Sequence, residues 1–427
     1  MIPRKDPVEV PKNLCTQIEI AHSLPTIVEP EIPDRVTWTV EARLPFRVLN
    51  GYGNAMDQKD IYRQFIDWLN QTWWGLPPAG ELLPLIQTCY TPEEAEVLTG
   101  MPFSGRSLEE LAATKGMEPS ALAPRMDRLA QKGFVFRTAE GNTARYSLND
   151  SFFVFLRSLF WPGKKDEKSR GLAPLVNQYY YHGFFDQYAG VQTRGLRTVP
   201  IGKTIEDPRQ VLPYEDVARF LDEQDYFTVS ICPCRHRKNL DPGAPDCKHP
   251  TENCLHFGRL GHYIVENGLG REITKTDAHK ILEEAAASGL VHGLSNWQQA
   301  ADTICNCCKC CCMWFESYHK LNHGKSLDSS NYRVKTHPAT CKGCGLCVKR
   351  CPMDALRLEL SAEAKNNIGK AAVLDPEKCI GCGVCAHKCP TNSLVLRRRE
   401  KIEDPPLDPR DYMHRFFAER KARGSGI

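Results

Sequence analysis

The chain of 427 residues contains twenty cysteines, and eighteen of them lie in dense groups after residue 230. Such grouping indicates metal sites, because several thiolates are needed to hold each metal. The most regular groups share the pattern C-x2-C-x2-C-x3-C-P, which occurs twice. Its members are Cys341, Cys344, Cys347 and Cys351 with Pro352, and Cys379, Cys382, Cys385 and Cys389 with Pro390. Cys15 and Cys89 stand apart, and we expect them to be ordinary buried thiols.

This spacing predicts two [4Fe-4S] clusters whose ligands are exchanged between the two runs. Three thiolates on one tight loop can hold three irons of a cube, while the fourth lies on the following turn and points across to the other cube. The predicted ligands of the first cluster are Cys341, Cys344, Cys347 and Cys389. Those of the second are Cys379, Cys382, Cys385 and Cys351. Zinc is the alternative, but zinc prefers ligands grouped as two separated pairs.

The two runs also form an internal repeat. Like residues recur in both: Gly343 with Gly381, Gly345 with Gly383, Leu356 with Leu394 and Leu358 with Leu396. From about residue 333 to residue 397 the chain resembles the bacterial-type two-cluster ferredoxins. That resemblance implies a small pseudo-symmetric α+β unit that transfers electrons. The polar insertion at residues 361–370 is expected to lengthen a surface hairpin.

A second block of cysteines precedes these runs and lacks their regular spacing. Its members are Cys232, Cys234, Cys247, Cys254, Cys305, Cys307, Cys308, Cys310, Cys311 and Cys312. Neighbouring side chains point in different directions, so the cysteines between 305 and 312 cannot all reach one cube. We expect the two halves of the block to converge on one or two further [4Fe-4S] clusters, with the ligand subset open. A zinc or metallothionein-like site is the alternative. Three histidines are alternative ligands: His236, His249 and His256.

Cationic residues accompany the second block and are expected to offset its thiolate charge. They are Arg235, Arg237, Lys238 and Lys309. The arrangement CPCR…C…C…CxCCxCCC resembles the cluster-rich ferredoxin-like proteins of anaerobic bacteria and archaea that carry this block directly before a two-cluster ferredoxin domain. The resemblance implies electron transfer. So many thiolates further suggest a reducing, anaerobic cell interior.

The elements that must position these cysteines predict an α+β multidomain chain. Its predicted parts are an extended proline-rich arm and helix (1–80), a winged helix-turn-helix-like domain (81–150), an aromatic-rich connecting region (151–225), a helical cysteine-rich cluster domain (226–325), a ferredoxin-like two-cluster domain (330–398) and a basic C-terminal tail helix (399–427). In the cysteine-rich part, helices are expected over 212–224 and 274–288, and a short strand delivers Cys232.

Residues 81–150 have the pattern of three helices and a β-hairpin. Ser107 and Glu110 have capping-box spacing at the start of one helix. The polar groups expected to face outward are Arg125, Arg128, Gln131, Lys132, Arg137 and Arg145. Reading DNA would require them in the major groove with further phosphate contacts. Because Pro124 lies inside the helix and acidic residues dilute the charge, docking to a protein is favoured and nucleic-acid binding is the alternative.

No pattern for a flavin, NAD or nucleotide site occurs in the sequence. Residues 199–204 superficially resemble a P-loop, but Arg197 stands where that loop requires glycine. No G-x-G-x-x-G follows a strand. The formal net charge of +3 does not suggest a dedicated nucleic-acid binder. Because the N-terminus lacks a secretory signal and no apolar run approaches membrane-spanning length, a cytoplasmic location is expected.

These features predict an iron–sulfur electron-transfer protein, the relay subunit of an anaerobic oxidoreductase complex that passes single electrons through several [4Fe-4S] clusters. A redox partner is expected to dock on the arm, the winged helix or the C-terminal tail. One alternative is an iron–sulfur redox-sensing winged-helix transcription regulator. The other is a reductase with a catalytic cluster in the 232–312 block. No acid–base pair or nucleophile arrangement predicts a catalytic residue.

Overall fold

The N-terminal part of the described chain is helical. The computed structural model describes residues 58–71, 75–140, 143–185, 191–244, 247–299, 301–324 and 326–422. Its first helices are α1 (Gln58–Leu69), α2 (Leu82–Cys89) and α3 (Pro92–Leu98). Phe65, Leu85 and Leu98 on these helices are fully buried. The part of the predicted arm that precedes residue 58 lies outside the described residues.

Two helices and a hairpin follow between residues 106 and 148. They are β1 (Arg106–Ser107), α4 (Leu108–Lys115), α5 (Pro119–Gln131), β2 (Val135–Glu140) and β3 (Thr143–Leu148). The backbone N–H of Glu110 donates to Ser107 Oγ at 3.2 Å, and that of Ser107 donates to Glu110 Oε2 at 2.8 Å. This capping box fixes the start of α4. The three strands form a sheet in the order β1-β3-β2.

Aromatic side chains of the connecting region (151–225) form part of the hydrophobic core. Helices α6 (Ser151–Phe153) and α7 (Glu167–Tyr179) each continue into a π-helical turn, Val154–Ser158 and Tyr180–Phe184 respectively. Phe155, Tyr179 and Phe184 are buried. The rings of Tyr179 and Phe184 meet edge to face with centroids 4.9 Å apart.

The cysteine-rich segment is built on a six-stranded antiparallel sheet, which corrects the expectation of a helical domain. Its order is β4-β8-β9-β6-β5-β7. The strands are β4 (Leu196–Thr198), β5 (Phe227–Ile231), β6 (Glu252–Phe257), β7 (Arg271–Glu272), β8 (Val291–Ser295) and β9 (Thr303–Cys307). Alternate residues of a strand face opposite sides, and in β9 this places two cysteines on one face.

Five helices belong to the same part of the chain as this sheet. They are α8 (Val217–Asp222), α9 (Pro233–Leu240), α10 (Gly258–Glu266), α11 (Lys275–Ala287) and α12 (Met313–Lys320). The helix predicted over 212–224 is shorter, because a 3-10 turn occupies Pro213–Glu215 and Asp216 then caps α8. Thr274 and Asp277 form a capping box at the start of α11.

The internal repeat folds into two small antiparallel sheets with two short helices. Strand β10 (Tyr332–Thr336) pairs with β13 (Leu394–Arg398), and β11 (Leu356–Leu360) pairs with β12 (Lys370–Leu374). The helices are α13 (Leu346–Arg350) and α14 (Val384–His387). Leu360 lies opposite Lys370 in the register, so the insertion at 361–370 forms a hairpin connection.

The last helix, α15 (Pro409–Ala422), folds back onto the body. Tyr412 and Phe416 are buried. The Glu419 carboxylate accepts hydrogen bonds from the backbone N–H groups of Gln192 (2.6 Å) and Thr193 (2.9 Å). Among the helices that the structure describes, none is long and apolar enough to cross a membrane.

Candidate metal centres

The repeat unit contains two cavities, each lined by four cysteines. The first is lined by Cys341, Cys344, Cys347 and Cys389. The second is lined by Cys351, Cys379, Cys382 and Cys385. The space between the side chains is about 300 Å³ in the first and about 310 Å³ in the second. The structure therefore brings together both quartets that the spacing predicts, with Cys351 and Cys389 exchanged between the runs.

Both cavities suit a sulfur-rich anionic group. The backbone N–H of Gly343 donates to Cys341 Sγ at 3.4 Å, and that of Ala355 donates to Cys351 Sγ at 3.2 Å. Such contacts favour the thiolate form and tune a bound cluster. Eight thiolates around two cavities of equal size fit two [4Fe-4S] clusters with four cysteines each.

Six cysteines of the second block line one larger cavity, which we call the six-cysteine chamber. They are Cys232, Cys234, Cys254, Cys305, Cys307 and Cys312. Cys232 ends the connection from β5 to α9, and Cys254 lies on β6. Cys305 and Cys307 share one face of β9 because they are two residues apart. The space between its side chains, including space open to solvent, is about 610 Å³, roughly twice that of either cavity in the repeat unit.

The remaining cysteines of the block form a compact set, the four-cysteine group, whose sulfur atoms all lie within 4.8 Å of one another. They are Cys247, Cys308, Cys310 and Cys311. Cys310 Sγ lies 3.3 Å from Cys247 Sγ and 3.7 Å from Cys311 Sγ. Thiolates around a tetrahedral zinc ion, with Zn–S bonds of about 2.3 Å, lie about 3.8 Å apart. This group therefore fits a single tetrahedral ion.

Comparison with known proteins covers the repeat unit alone. Residues 340–393 match the family model of the 4Fe-4S dicluster domain. The chain carries a 4Fe-4S dicluster domain. No curated protein and no solved structure matches it. The dicluster domain and the clustered cysteines together support an iron–sulfur electron-transfer protein.

The two sites of the dicluster domain differ in exposure. The first, which we call the outer site, contains the exposed Cys344. Next to it, Leu346 and Ile368 expose 38% and 53% of their surface. The second, the inner site, has only buried cysteines, and the carbonyl of Cys382 accepts a hydrogen bond of 3.1 Å from the backbone of Ile201. The outer site thus reaches the surface, whereas the cysteines of the inner site are buried.

The inner site faces the cysteine-rich domain. Lys309, between Cys308 and Cys310, forms an ion pair of 2.6 Å with Asp354, which follows Cys351. The Arg350 guanidinium donates to the carbonyls at the end of α11, at 2.9 Å to Ala286 and 3.1 Å to Ala287. These contacts fix the dicluster domain against the four-cysteine group.

Two of the predicted cationic residues lie buried beside the chamber. Arg235 is 1% exposed and donates to the carbonyl of Asn306 at 2.9 Å. Burial lowers the pKa of Arg235, but the adjacent thiolates of Cys232 and Cys308 outweigh burial and raise it above its ordinary value. Arg237 is fully buried, and its Nε donates to Asn177 Oδ1 at 2.6 Å.

The two predicted lysines each have a carboxylate partner, so neither is dedicated to the thiolates. Lys238 forms a buried ion pair with Glu316, 2.9 Å from Nζ to Oε1. Lys309 pairs with Asp354 at the surface. Neither partner could be predicted from the sequence. Glu316 is distant from Lys238 along the chain, and Asp354 belongs to a different cysteine motif from Lys309.

The three alternative histidine ligands stand outside both cysteine sets. The ring nitrogens of His256 lie 2.8 Å from Ser230 Oγ and 3.2 Å from Thr303 Oγ1, and burial lowers the pKa of His256 to about 3. His236 Nε2 lies 2.7 Å from the carbonyl of Lys164. His249 lines neither the chamber nor the four-cysteine group. Thiolates alone form the ligand sets that the structure assembles.

A wider cavity adjoins the chamber and has no counterpart among the sequence predictions. It shares Phe152, Arg157 and Trp314 with the chamber, and the space between its side chains is about 1490 Å³ against about 610 Å³ for the chamber. Water-sized molecules can occupy about 590 Å³ of it. Asp302 lies on its wall, where burial raises the pKa of the carboxyl group. The feature of the sequence that could have pointed to this cavity is Arg157, a single charged residue within the apolar run 152–161.

Proposed function

We propose that this protein is an electron relay, a subunit that passes single electrons between a docked redox partner and the cysteine-rich domain. An iron–sulfur cluster supplies one-electron transfer, and hydrogen bonds, charge and exposure set its potential within about −700 to +450 mV. The spatial order of the thiolate sets supports this proposal. The outer site reaches the surface, the inner site lies behind it, and the cysteine-rich domain follows.

One contact carries the proposal. The Lys309–Asp354 ion pair joins a ligand loop of the inner site to the cysteine run at 305–312. Asp354 is three residues beyond Cys351, and Lys309 has cysteines on both sides. A dicluster domain used only as a structural module would have no reason to present its inner site to another thiolate-rich loop.

The surface around the outer site is the proposed docking surface for the partner. Leu346 and Ile368 are exposed apolar side chains next to its cysteines. Electron-transfer encounters use small interfaces, commonly below about 1,200 Å² in total, so docking does not require a large apolar surface. We therefore propose that a small redox protein docks here. Docking on the arm, on the winged-helix-like residues 81–150, which we call the helix–hairpin segment, or on the C-terminal tail stays a prediction.

Electron paramagnetic resonance tests the relay. In the fully reduced, anaerobically purified protein, relaxation of the dicluster signals should be accelerated by a paramagnetic centre in the chamber. The variant Cys305→Ala, which removes a chamber thiol, should slow that relaxation, while Cys89→Ala, which removes a thiol outside all sites, should not. Dicluster signals that are identical in all three proteins would argue against a relay.

A second function, a reductase with a catalytic centre in the 232–312 block, is favoured by the wider cavity. Phe152, Arg157 and Trp314 separate it from the chamber, so a bound molecule would lie next to the chamber thiolates. Its volume is in the range of small-molecule sites. Cyanide added to the reduced protein should then change the chamber signals and leave the dicluster signals alone. Unchanged chamber signals would leave the relay as the sole function.

We propose that the helix–hairpin segment contacts protein and does not bind DNA selectively. Two basic groups of the hairpin have carboxylate partners in this chain: Arg137 pairs with Glu266 at 3.5 Å and Arg145 with Glu110 at 3.9 Å. The hydroxyl of Tyr263 on α10 donates to the carbonyl of Val135 at 2.9 Å. Fluorescence anisotropy with duplex DNA over a salt series should show no sequence-selective binding. Selective binding that depends on the redox state would favour a transcription regulator.

A further inference from the structure

We propose that the six-cysteine chamber holds one eight-iron centre, in which two [4Fe-4S] cubes are joined by a single bridging sulfide. The neighbouring four-cysteine group would then hold a single tetrahedral ion. This inference concerns the identity of the cofactor, and it stands or falls independently of the relay function. It divides the cysteines of the second block into two sets with different chemistry.

The number of ligands is the first argument. Each iron of a cube needs one ligand from outside the cube, so two separate cubes need about eight thiolates. The chamber offers six. A sulfide that bonds to one iron of each cube completes two irons at once, and the six thiolates complete the others. One cube alone would leave two buried thiols of the chamber without a metal.

The spacing of the sulfur atoms separates the two sets. In the four-cysteine group all the sulfurs lie within 4.8 Å, as a single ion requires. No other set of three or more candidate ligands among the described residues is as tight. The chamber therefore shares its wider spacing with the two sites of the dicluster domain. The same fold thus distinguishes a single-ion site from cluster sites.

The thiols of the chamber fall into two triads. The first comes from three strand positions: Cys232 after β5, Cys254 on β6 and Cys305 on β9. Cys254 and Cys305 are adjacent thiols across neighbouring strands. Three thiolates per triad is the number that each cube of a bridged pair requires.

The second triad comes from the ends of three elements. Cys307 ends β9, Cys234 lies in the first turn of α9, and Cys312 caps α12. Cys312 is adjacent to both Cys234 and Cys307. The pair Cys305–Cys307 on one face of β9 links the triads, so the ligands form an elongated array. The space between the side chains, about 610 Å³ against about 300 Å³ for the outer site by the same measure, agrees with two cubes.

Buried positive charge supplies an independent argument for a strongly anionic centre. Arg237 is fully buried, and its two Nη atoms have no hydrogen-bond partner among the described residues. Arg235 and Arg157 line the chamber directly. A nearby anion stabilises a guanidinium that is buried in this way. Six thiolates and a bridging sulfide carry more negative charge than the four thiolates of one cube, and three arginines match the larger anion.

Metal analysis of the anaerobically purified full chain tests the proposal. With about eight irons in the dicluster domain, we expect about sixteen irons and about one zinc per chain. About twelve irons with one zinc would mean a single cube in the chamber and would overturn the proposal. About sixteen irons with neither zinc nor another single metal ion would mean four separate cubes and would equally overturn the proposal.

Variants locate the metals. Cys254→Ala should lower the iron content by about eight, because both cubes share one bridge, whereas a loss of about four contradicts a shared centre. The matched variant Cys310→Ala should remove zinc and no iron. If Cys254→Ala does not fold, anomalous diffraction at the iron and zinc edges from wild-type crystals decides. One elongated iron peak in the chamber and one zinc peak in the four-cysteine group support the proposal, and a compact cube-sized iron peak refutes it.

Discussion

Lys309 Nζ lies 2.6 Å from Asp354 Oδ1 and 2.7 Å from Asp354 Oδ2, so one ion pair joins the two thiolate-rich parts of the molecule. Side-chain exposures of 46% and 60% mean that the pair contributes little to stability, about 0–1 kcal/mol. Its importance is electrostatic. A cation lies beside Cys308, and an anion lies beside a ligand loop of the inner site.

The first prediction is that neutralising either partner shifts the reduction potential of the inner site, in opposite directions. Reduction adds negative charge to the site. Lys309→Ala removes a nearby cation and should lower the potential, while Asp354→Asn removes an anion and should raise it. Each shift should be on the order of tens of millivolts in a redox titration, and added salt should diminish both. Shifts of the same sign would contradict the electrostatic explanation.

The second prediction concerns the exchange of Cys351 and Cys389 between the repeats. If Cys389 belongs to the outer site, the double variant Cys341→Ala/Cys389→Ala affects one cluster and should lose about four irons. Cys379→Ala/Cys389→Ala affects both clusters and should lose about eight. Iron analysis with Cys89→Ala as the control measures the difference. The reverse order of losses would mean that each run keeps its own four cysteines.

The ligand sets of the dicluster domain follow from the sequence, because a fixed spacing on a short loop determines which side chains meet. Those of the second block do not. Cys305 and Cys307 join the chamber because they share a face of β9, whereas Cys308 lies just beyond the strand and meets Cys247, Cys310 and Cys311. Strand pairing over long separations, such as Leu255 with Ile304, then decides which cysteines meet. Local spacing contains neither fact.

The partners in the ion pairs could not be predicted from the sequence either. Lys238 and Glu316 are 78 positions apart and meet only because α9 packs near α12. By contrast, the capping box of Ser107 and Glu110 is a local hydrogen-bond pattern, and the sequence predicts it correctly. Local hydrogen bonding and loop spacing can be inferred from residue order, while the division of the second cysteine block needs the tertiary fold.

The third prediction is a pH dependence that originates in the helix–hairpin segment. Burial lowers the pKa of Lys115 to about 8, and its ammonium donates to the carbonyl of Thr99. Between pH 8 and the unfolded pKa of about 10.4, the unfolded chain binds more protons, so the free energy of unfolding should rise with pH. Below pH 8 this residue adds no slope.

Lys115→Met should remove that rise, which we expect to be about 1–2 kcal/mol after allowing for partial exposure. Denaturant unfolding of the wild type and the variant at pH 7.5 and pH 10 gives the two slopes. Lys280→Met, at a side chain that is 72% exposed on α11, is the control and should keep the wild-type slope. An unchanged slope in Lys115→Met would assign the pH dependence to another group.

The fourth prediction uses the internal repeat as its own control. Gly343 and Gly381 occupy equivalent positions in the two cluster loops, with φ of 67° and 69°. A Cβ at Gly343 would lie 2.7 Å from the terminal methyl of Ile368, which can move aside, and 3.2 Å from the carbonyl oxygen of Lys370, which need shift by only a few tenths of an ångström. A Cβ at Gly381 would lie 2.2 Å from the carbonyl oxygen of Tyr332, a backbone atom in β10. The same substitution therefore meets a flexible side chain in one loop and a strand in the other.

Gly343→Ala should cost about 1–2 kcal/mol, mainly for the left-handed backbone conformation, and retain the full iron content. Gly381→Ala must displace β10 or its own loop, so the inner site should lose about four irons while the outer site keeps its own. Iron analysis and thermal unfolding of the two variants measure the contrast. Equal effects would mean that the backbone conformation alone limits both loops and that β10 can shift without disturbing the inner site.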